Sequence, residues 1–163
     1  MITLFLISLI AFIAYNSFVV LTFGVPASVS DSSYSLKERN LSSLFTFFCW
    51  LTALPLLIYW IEVLQTDWDI LPFAACGALM FVGAAPEFKD KSMERKVHVT
   101  AAIICLLASY IWSSLYGNII LTVLCIVPSA VLYFEFIRVK NKIFWIEIIA
   151  FINIYIQLML LMK

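Results

Sequence analysis

The chain has 163 residues, 64% hydrophobic and only 12% charged, with ten Lys and Arg balancing ten Asp and Glu. Soluble domains run near half apolar and a quarter charged, so these proportions exclude one. Zero net charge offers nucleic acid no electrostatic footprint, and continuous rather than alternating apolar runs exclude a β-barrel.

Six apolar stretches, roughly 2–23, 43–64, 70–86, 97–116, 119–137 and 143–162, account for most of the chain. Crossing a bilayer as helix takes about 20 apolar residues. The expected fold is therefore all-α: a single-domain polytopic membrane bundle of six transmembrane helices. Nine of the ten basic residues fall in alternate gaps. Lys37 and Arg39 lie in the first, Lys89, Lys91, Arg95 and Lys96 in the third, and Arg138, Lys140 and Lys142 in the fifth. Cytoplasmic loops collect Lys and Arg, so loops one, three and five are expected in the cytoplasm, with both termini outside (N-out/C-out). The setting this implies is the cell membrane, as in a bacterial inner membrane.

The first stretch lacks a basic leader and a clean small-residue cleavage site, so it reads as a retained span. Asn16 is its only amide. The loop that follows is rich in Ser, and Asp31 or Ser33 there is placed to start a short interfacial helix before Lys37 and Arg39. The second stretch carries Pro55 mid-span and ends in Tyr59, Trp60 and Glu62. With Trp68, Trp112 and Tyr116 these aromatics form an expected outer belt, and Tyr34 and Trp145 an inner one. Asp67 and Asp69 read as solvated turn residues. The third stretch, rich in Ala and Gly from Ala74 to Ala85, is the expected central helix, because small residues let backbones approach closely in a membrane. The fourth, through Ala101, Cys105 and Ala108, is expected to pack against it. Pro128 and Ser129 interrupt the fifth. Pro128, Tyr133 and Glu135 there repeat the offsets of Pro55, Trp60 and Glu62, either by chance or as a trace of the inverted repeat of a transporter. In the sixth, Asn153 and Gln157 share a face at i,i+4 and suit interhelical hydrogen bonding.

The groups with chemistry cluster at the basic end: Asp31, Glu87, Asp90, His98, Glu135, Arg138 and Glu147. His98 is the sole histidine. With Asp31, Asp90 or Glu87 to orient it, it is a candidate general base; alternatively it is an interfacial residue making one hydrogen bond. Glu147 lies inside a span, where an ionisable group costs about 2.5–3.5 kcal/mol at the centre and less near an end. Its candidate partners are Arg138, Lys142 and His98, and its other reading is a snorkelling carboxylate. Glu135 is expected to pair with Arg138 at i,i+3. Cys49, Cys76, Cys105 and Cys125 fall singly in the second to fifth stretches, in no metal-binding or redox spacing. One histidine is too few for an intramembrane zinc hydrolase, no Lys lies in a span to carry retinal, and no phosphate loop or haem pair appears. No metal or cofactor is expected.

The segments FGVPASVSDSSYSL, FVGAAPEFKD and KVHVTAAI resemble a group of small polytopic membrane proteins of gut bacteria and their phages. The resemblance implies a prokaryotic or phage setting and carries no activity with it. Three functions fit the residues. The first is transport or binding of a small solute or lipid in a polar cleft on the cytoplasmic side, using Glu147, His98, Glu135, Arg138, Asp31 and Glu87. The second is a non-catalytic assembly subunit. The third is an inner-leaflet, lipid-directed enzyme using His98 with Asp31, Asp90 or Glu147. Membrane lipid, a second copy of the chain or another membrane protein are the expected partners.

Overall fold

The computed structural model describes residues 2–64 and 70–162, and these are helical apart from their loops. The elements are α1 (Ile2–Phe23), α2 (Ser32–Lys37), α3 (Ser43–Leu64), α4 (Ile70–Ala84), α5 (Ser92–Tyr116), α6 (Ile119–Tyr133) and α7 (Lys142–Leu160). Four of them, α1, α3, α5 and α7, are long and apolar enough to cross a membrane, while α4 and α6 are shorter apolar helices. Trp68, Asp67 and Asp69 lie outside the described residues.

Helix ends follow local chemistry. α1 stops where Gly24 adopts φ +80 and its N–H closes on Val20 O at 3.0 Å, the left-handed cap that glycine accepts without strain. The short α2 occupies the expected place in loop one, after Asp31. α4 ends at Ala84 rather than 86, because Ala85 precedes Pro86 and is pushed out of helical geometry. α5 begins at Ser92, a turn and a half before the apolar run, since charged residues are sound helix formers although hydropathy passes over them. α6 is capped by Asn118, whose side chain accepts from the N–H groups of Ile120 and Leu121. It ends at Tyr133, and Glu135 follows with φ 60. The expected i,i+3 pair of Glu135 with Arg138 therefore does not form; Lys142 takes Glu135 at 2.6 Å instead.

α3 packs on α1 and α4, α4 on α5, α5 on α7, and α6 on α5 and α7. α7 closes the circuit onto α1. The Tyr155 hydroxyl donates to Ser8 Oγ at 2.7 Å, which in turn donates to Thr52 O at 2.7 Å, and Phe12 packs on Phe151 at 4.7 Å. α1, α3, α4, α5 and α7 thus form a ring, with α6 outside it. This corrects the central place expected for the small-residue helix. α4 meets α3 and α5 closely, but Phe73 and Phe81 on its other side are each 62% exposed. Its small residues serve one contact above all. A Cβ on Gly83 would lie 2.6 Å from Cys49 Cβ, and Thr46 Oγ1 donates to Gly83 O at 2.7 Å, so α3 and α4 touch backbone to side chain.

The aromatic belt is corrected as well. Tyr59, Trp60 and Trp112 are buried in protein, and the two indoles meet edge to face at 4.8 Å, so they build core. The two proline-centred segments sit in unlike places: Trp60 is fully buried in the ring, whereas Tyr133 is exposed and Glu135 lies past its helix end.

Candidate functional site

The three basic loops meet at one end of the bundle. Loop one touches loop three through Lys37–Glu87 at 2.7 Å and Lys89–Asp31 at 2.6 Å. Ser33 Oγ also donates to Pro86 O at 3.1 Å, and Lys89 N–H to the Tyr34 hydroxyl at 2.6 Å. Glu87 is the hub, with Lys91 at 2.6 Å on its other oxygen and its own N–H donating to Glu94. Hydrogen bonds from Lys37 and then Lys91 hold the Glu87 carboxyl down at about 2. These pairs are solvent-facing and screened, so each contributes little to stability; their role is to fix α2 against the α4–α5 loop.

Loop one touches α7 through a regular ladder. Asn141 Nδ2 donates to Val25 O at 2.6 Å, Phe144 N–H to Ala27 O at 3.1 Å, and Val29 N–H to Glu147 Oε2 at 2.6 Å. Alternate residues of the loop thus meet every third residue of the helix. Asn141 sits just before α7 and Phe144 in its first turn, where the helix leaves N–H groups free, and the segment gives one of them a carbonyl. Glu147 one turn further in receives the N–H that Val29 would otherwise bury unpartnered. The partner of Glu147 is this backbone amide, not Arg138, Lys142 or His98 as the sequence suggested. Ser32 Oγ, bonded to Val29 O and to the Tyr15 hydroxyl, ties the far side of the segment to α1.

Behind this segment lies a cavity within the ring. Its walls come from α3 (Phe45 to Trp60), α4 (Ala75 to Val82), α5 (Ala102 to Ser109) and α7 (Glu147 to Ile154), and Val29 and Ser30 floor it at the loop end. The cavity volume is about 100 Å³. Along α3 the wall runs 15 residues, or roughly 22 Å at 1.5 Å per residue. The lining is apolar and aromatic apart from Glu147, Ser30, Ser109, the Trp60 indole and the thiols of Cys49, Cys76 and Cys105. The Trp60 N–H has no acceptor among the described residues. Small side chains on three helices explain the space: Cys49 on α3, Ala75 and Cys76 on α4, and Ala102 and Cys105 on α5 stand where bulkier side chains would fill the ring.

The remaining predicted residues disperse. His98 is buried, with Nδ1 3.0 Å from Ala85 O and its ring stacked on Phe88 at 4.1 Å. A carbonyl can only accept, so Nδ1 carries the proton and the ring fastens the end of α4 to α5. No carboxylate is hydrogen-bonded to His98 among the described residues. Asp31 is neutralised by Lys89, Asp90 lies exposed in a turn, and Arg138 is exposed on the α6–α7 loop. Asn153 and Gln157 make the interhelical bonds expected of them, Asn153 to Ser113 Oγ at 2.9 Å and Gln157 to Thr122 Oγ1 at 3.0 Å and both backbone groups of Asn118. Sequence reasoning missed Val29, Trp60 and the three cavity thiols as lining; apolar residues give no signal of what they surround. Among the described residues no His, Cys, Asp and Glu are grouped to hold a metal ion. Comparison with protein-family models, curated proteins and solved structures gives no match to this chain.

Proposed function

We propose that the protein crosses a cell membrane, of the bacterial inner-membrane type, six times with both termini outside, and binds or transports a small apolar or amphiphilic molecule in the cavity of its ring. The gathering of all three basic loops at one end supports the topology, since that end suits the cytoplasm. α4 and α6, about 22 Å each by their length, are short for a core of about 30 Å and are accommodated by local thinning of the bilayer.

The observation that carries the binding reading is the elongated apolar cavity behind a hydrogen-bonded segment. Its apolar wall runs roughly 22 Å along α3, a bore long enough for one extended hydrocarbon chain. Each methylene placed there gains about 0.8 kcal/mol relative to water. Movement of the occupant toward the basic end requires the segment from Val25 to Val29 to leave α7, which makes Glu147 both wall and latch.

Native mass spectrometry of the protein released from lipid nanodiscs tests this. A retained small molecule is expected, and its loss in Ala102→Phe, which fills the bore. A bare protein in both forms defeats the reading. A second reading, an assembly subunit, has its own observation: on the outer face of α4 a Cβ added to Gly77 would meet nothing within 4 Å, in a groove between Phe73 and Phe81. Recovery of a stoichiometric second copy or second membrane protein in the same spectra would favour it. The enzyme reading has the least support, because His98 is engaged by a backbone carbonyl.

A further inference from the structure

We infer that the occupant of the cavity is a lipophilic cation, a protonated amine carried on an apolar body; this rests on the cavity being a binding site. Glu147 is one wall of an otherwise apolar chamber, and only one of its oxygens has a partner, the Val29 N–H. Among the described residues no Lys or Arg stands within ion-pair distance of it. Lys142 is engaged with Glu135 at 2.6 Å and Lys89 with Asp31 at 2.6 Å. His98 is bound to Ala85 O.

A carboxyl group in an apolar wall is costly to ionise until a counter-charge reaches it. A neutral occupant leaves that cost in place, and an anion adds repulsion to it. A cation removes it, and the rest of the lining suits a cation too. Phe45 and Phe48 at the loop end of α3 and Phe151 one turn from Glu147 line the same chamber, and aromatic faces attract ammonium groups more strongly where water is excluded. Among the described residues no basic side chain lines the chamber. The bore accommodates the alkyl body while the ammonium group lies against Glu147 at the loop end.

The test uses three probes of one length, dodecylammonium, dodecanol and dodecanoate, added at pH 7 to the full chain in zwitterionic nanodiscs, with empty nanodiscs as reference. Binding is read from indole fluorescence and from native mass spectra. The expected result is dodecylammonium bound at least tenfold more tightly than dodecanol, with dodecanoate excluded. Glu147→Gln is expected to abolish that tenfold preference while dodecanol still binds. Asn141→Ala loosens the same loop segment without touching the charge, and is expected to keep the preference. Equal binding of ammonium and alcohol to the wild type overturns the cation assignment and leaves the cavity reading standing. Loss of the preference in Asn141→Ala as well would overturn it too, by assigning the effect to the loop. Binding of none of the three defeats the cavity reading itself.

Discussion

Replacing Gly83 with Ala tests the contact that sets one wall of the cavity. The new methyl group would stand 2.6 Å from Cys49 Cβ and 3.2 Å from its Sγ, with Thr46 O at 3.4 Å. Carbon atoms in contact prefer about 3.5–4.0 Å, so α4 must retreat from α3 by about 1 Å. Overpacking of this kind costs about 1–3 kcal/mol. Stretching the Thr46–Gly83 hydrogen bond, 2.7 Å long, adds about 0.5–1.5 kcal/mol. The expected loss is therefore about 2–4 kcal/mol, read by reversible SDS unfolding in mixed micelles. Because the obstacle is the Cys49 Cβ itself, Cys49→Gly removes it. Cys49→Gly alone costs about 1 kcal/mol or more through helix propensity and lost packing. In the double variant the two losses should fall short of their sum by about 1–3 kcal/mol. Additive losses, or a Gly83→Ala protein as stable as the wild type, would refute the close approach of α3 and α4.

Three further outcomes follow from the same geometry. Glu147→Ala leaves the Val29 N–H without its acceptor, a loss worth about 1–3 kcal/mol, so amide exchange across residues 25–29 should accelerate about fivefold or more; unchanged protection would show that the segment is held without it. The Glu87 carboxyl is held below its ordinary 4.5, at about 2, by Lys37 and Lys91. A depressed carboxyl stabilises the fold fully above the unfolded value and loses that contribution as pH falls toward the folded one. Protection of α2 from exchange should therefore decline between pH 4.5 and 2, and that decline should vanish in Glu87→Gln, whose α2 is less protected throughout. A Cβ on Gly117 would lie 2.7 Å from Gln157 Oε1. The same Cβ would lie 2.8 Å from the Ser113 carbonyl, so Gly117→Ala should cost about 1–3 kcal/mol in the same SDS assay and be relieved only in part by Gln157→Ala, which removes the obstructing amide and leaves the carbonyl; no relief at all would place the strain at Ser113 alone.

How much was legible differs from residue to residue. The apolar runs marked every long helix, because a backbone in lipid must satisfy its own hydrogen bonds and needs about 20 apolar residues to cross. The short helix after Asp31 was legible from turn chemistry. Asn153 and Gln157 were legible as interhelical bonds, since amides in a span seek partners. Glu147 was legible as an anomaly, but its partner was not: Val29 lies 118 positions away, and an amide N–H leaves no mark in a sequence. Glu135 went to Lys142 rather than Arg138 because the helix had already ended. Trp60 and Trp112 read as belt residues because composition does not say which side of a helix meets lipid.

The sequence by itself determined the chemical class of the protein and which segments become helix, because both depend on local apolarity summed over short windows. It also confined nearly all basic charge to alternate loops. Only the tertiary structure decided that five helices close into a ring with α6 outside, that α4 flanks the bundle rather than centring it, and that a chamber remains between small residues of α4 and α5. Those outcomes depend on which faces meet across long sequence separations. In a chain apolar on nearly every face, periodicity does not record that choice; shape complementarity at contacts such as Gly83 against Cys49 makes it.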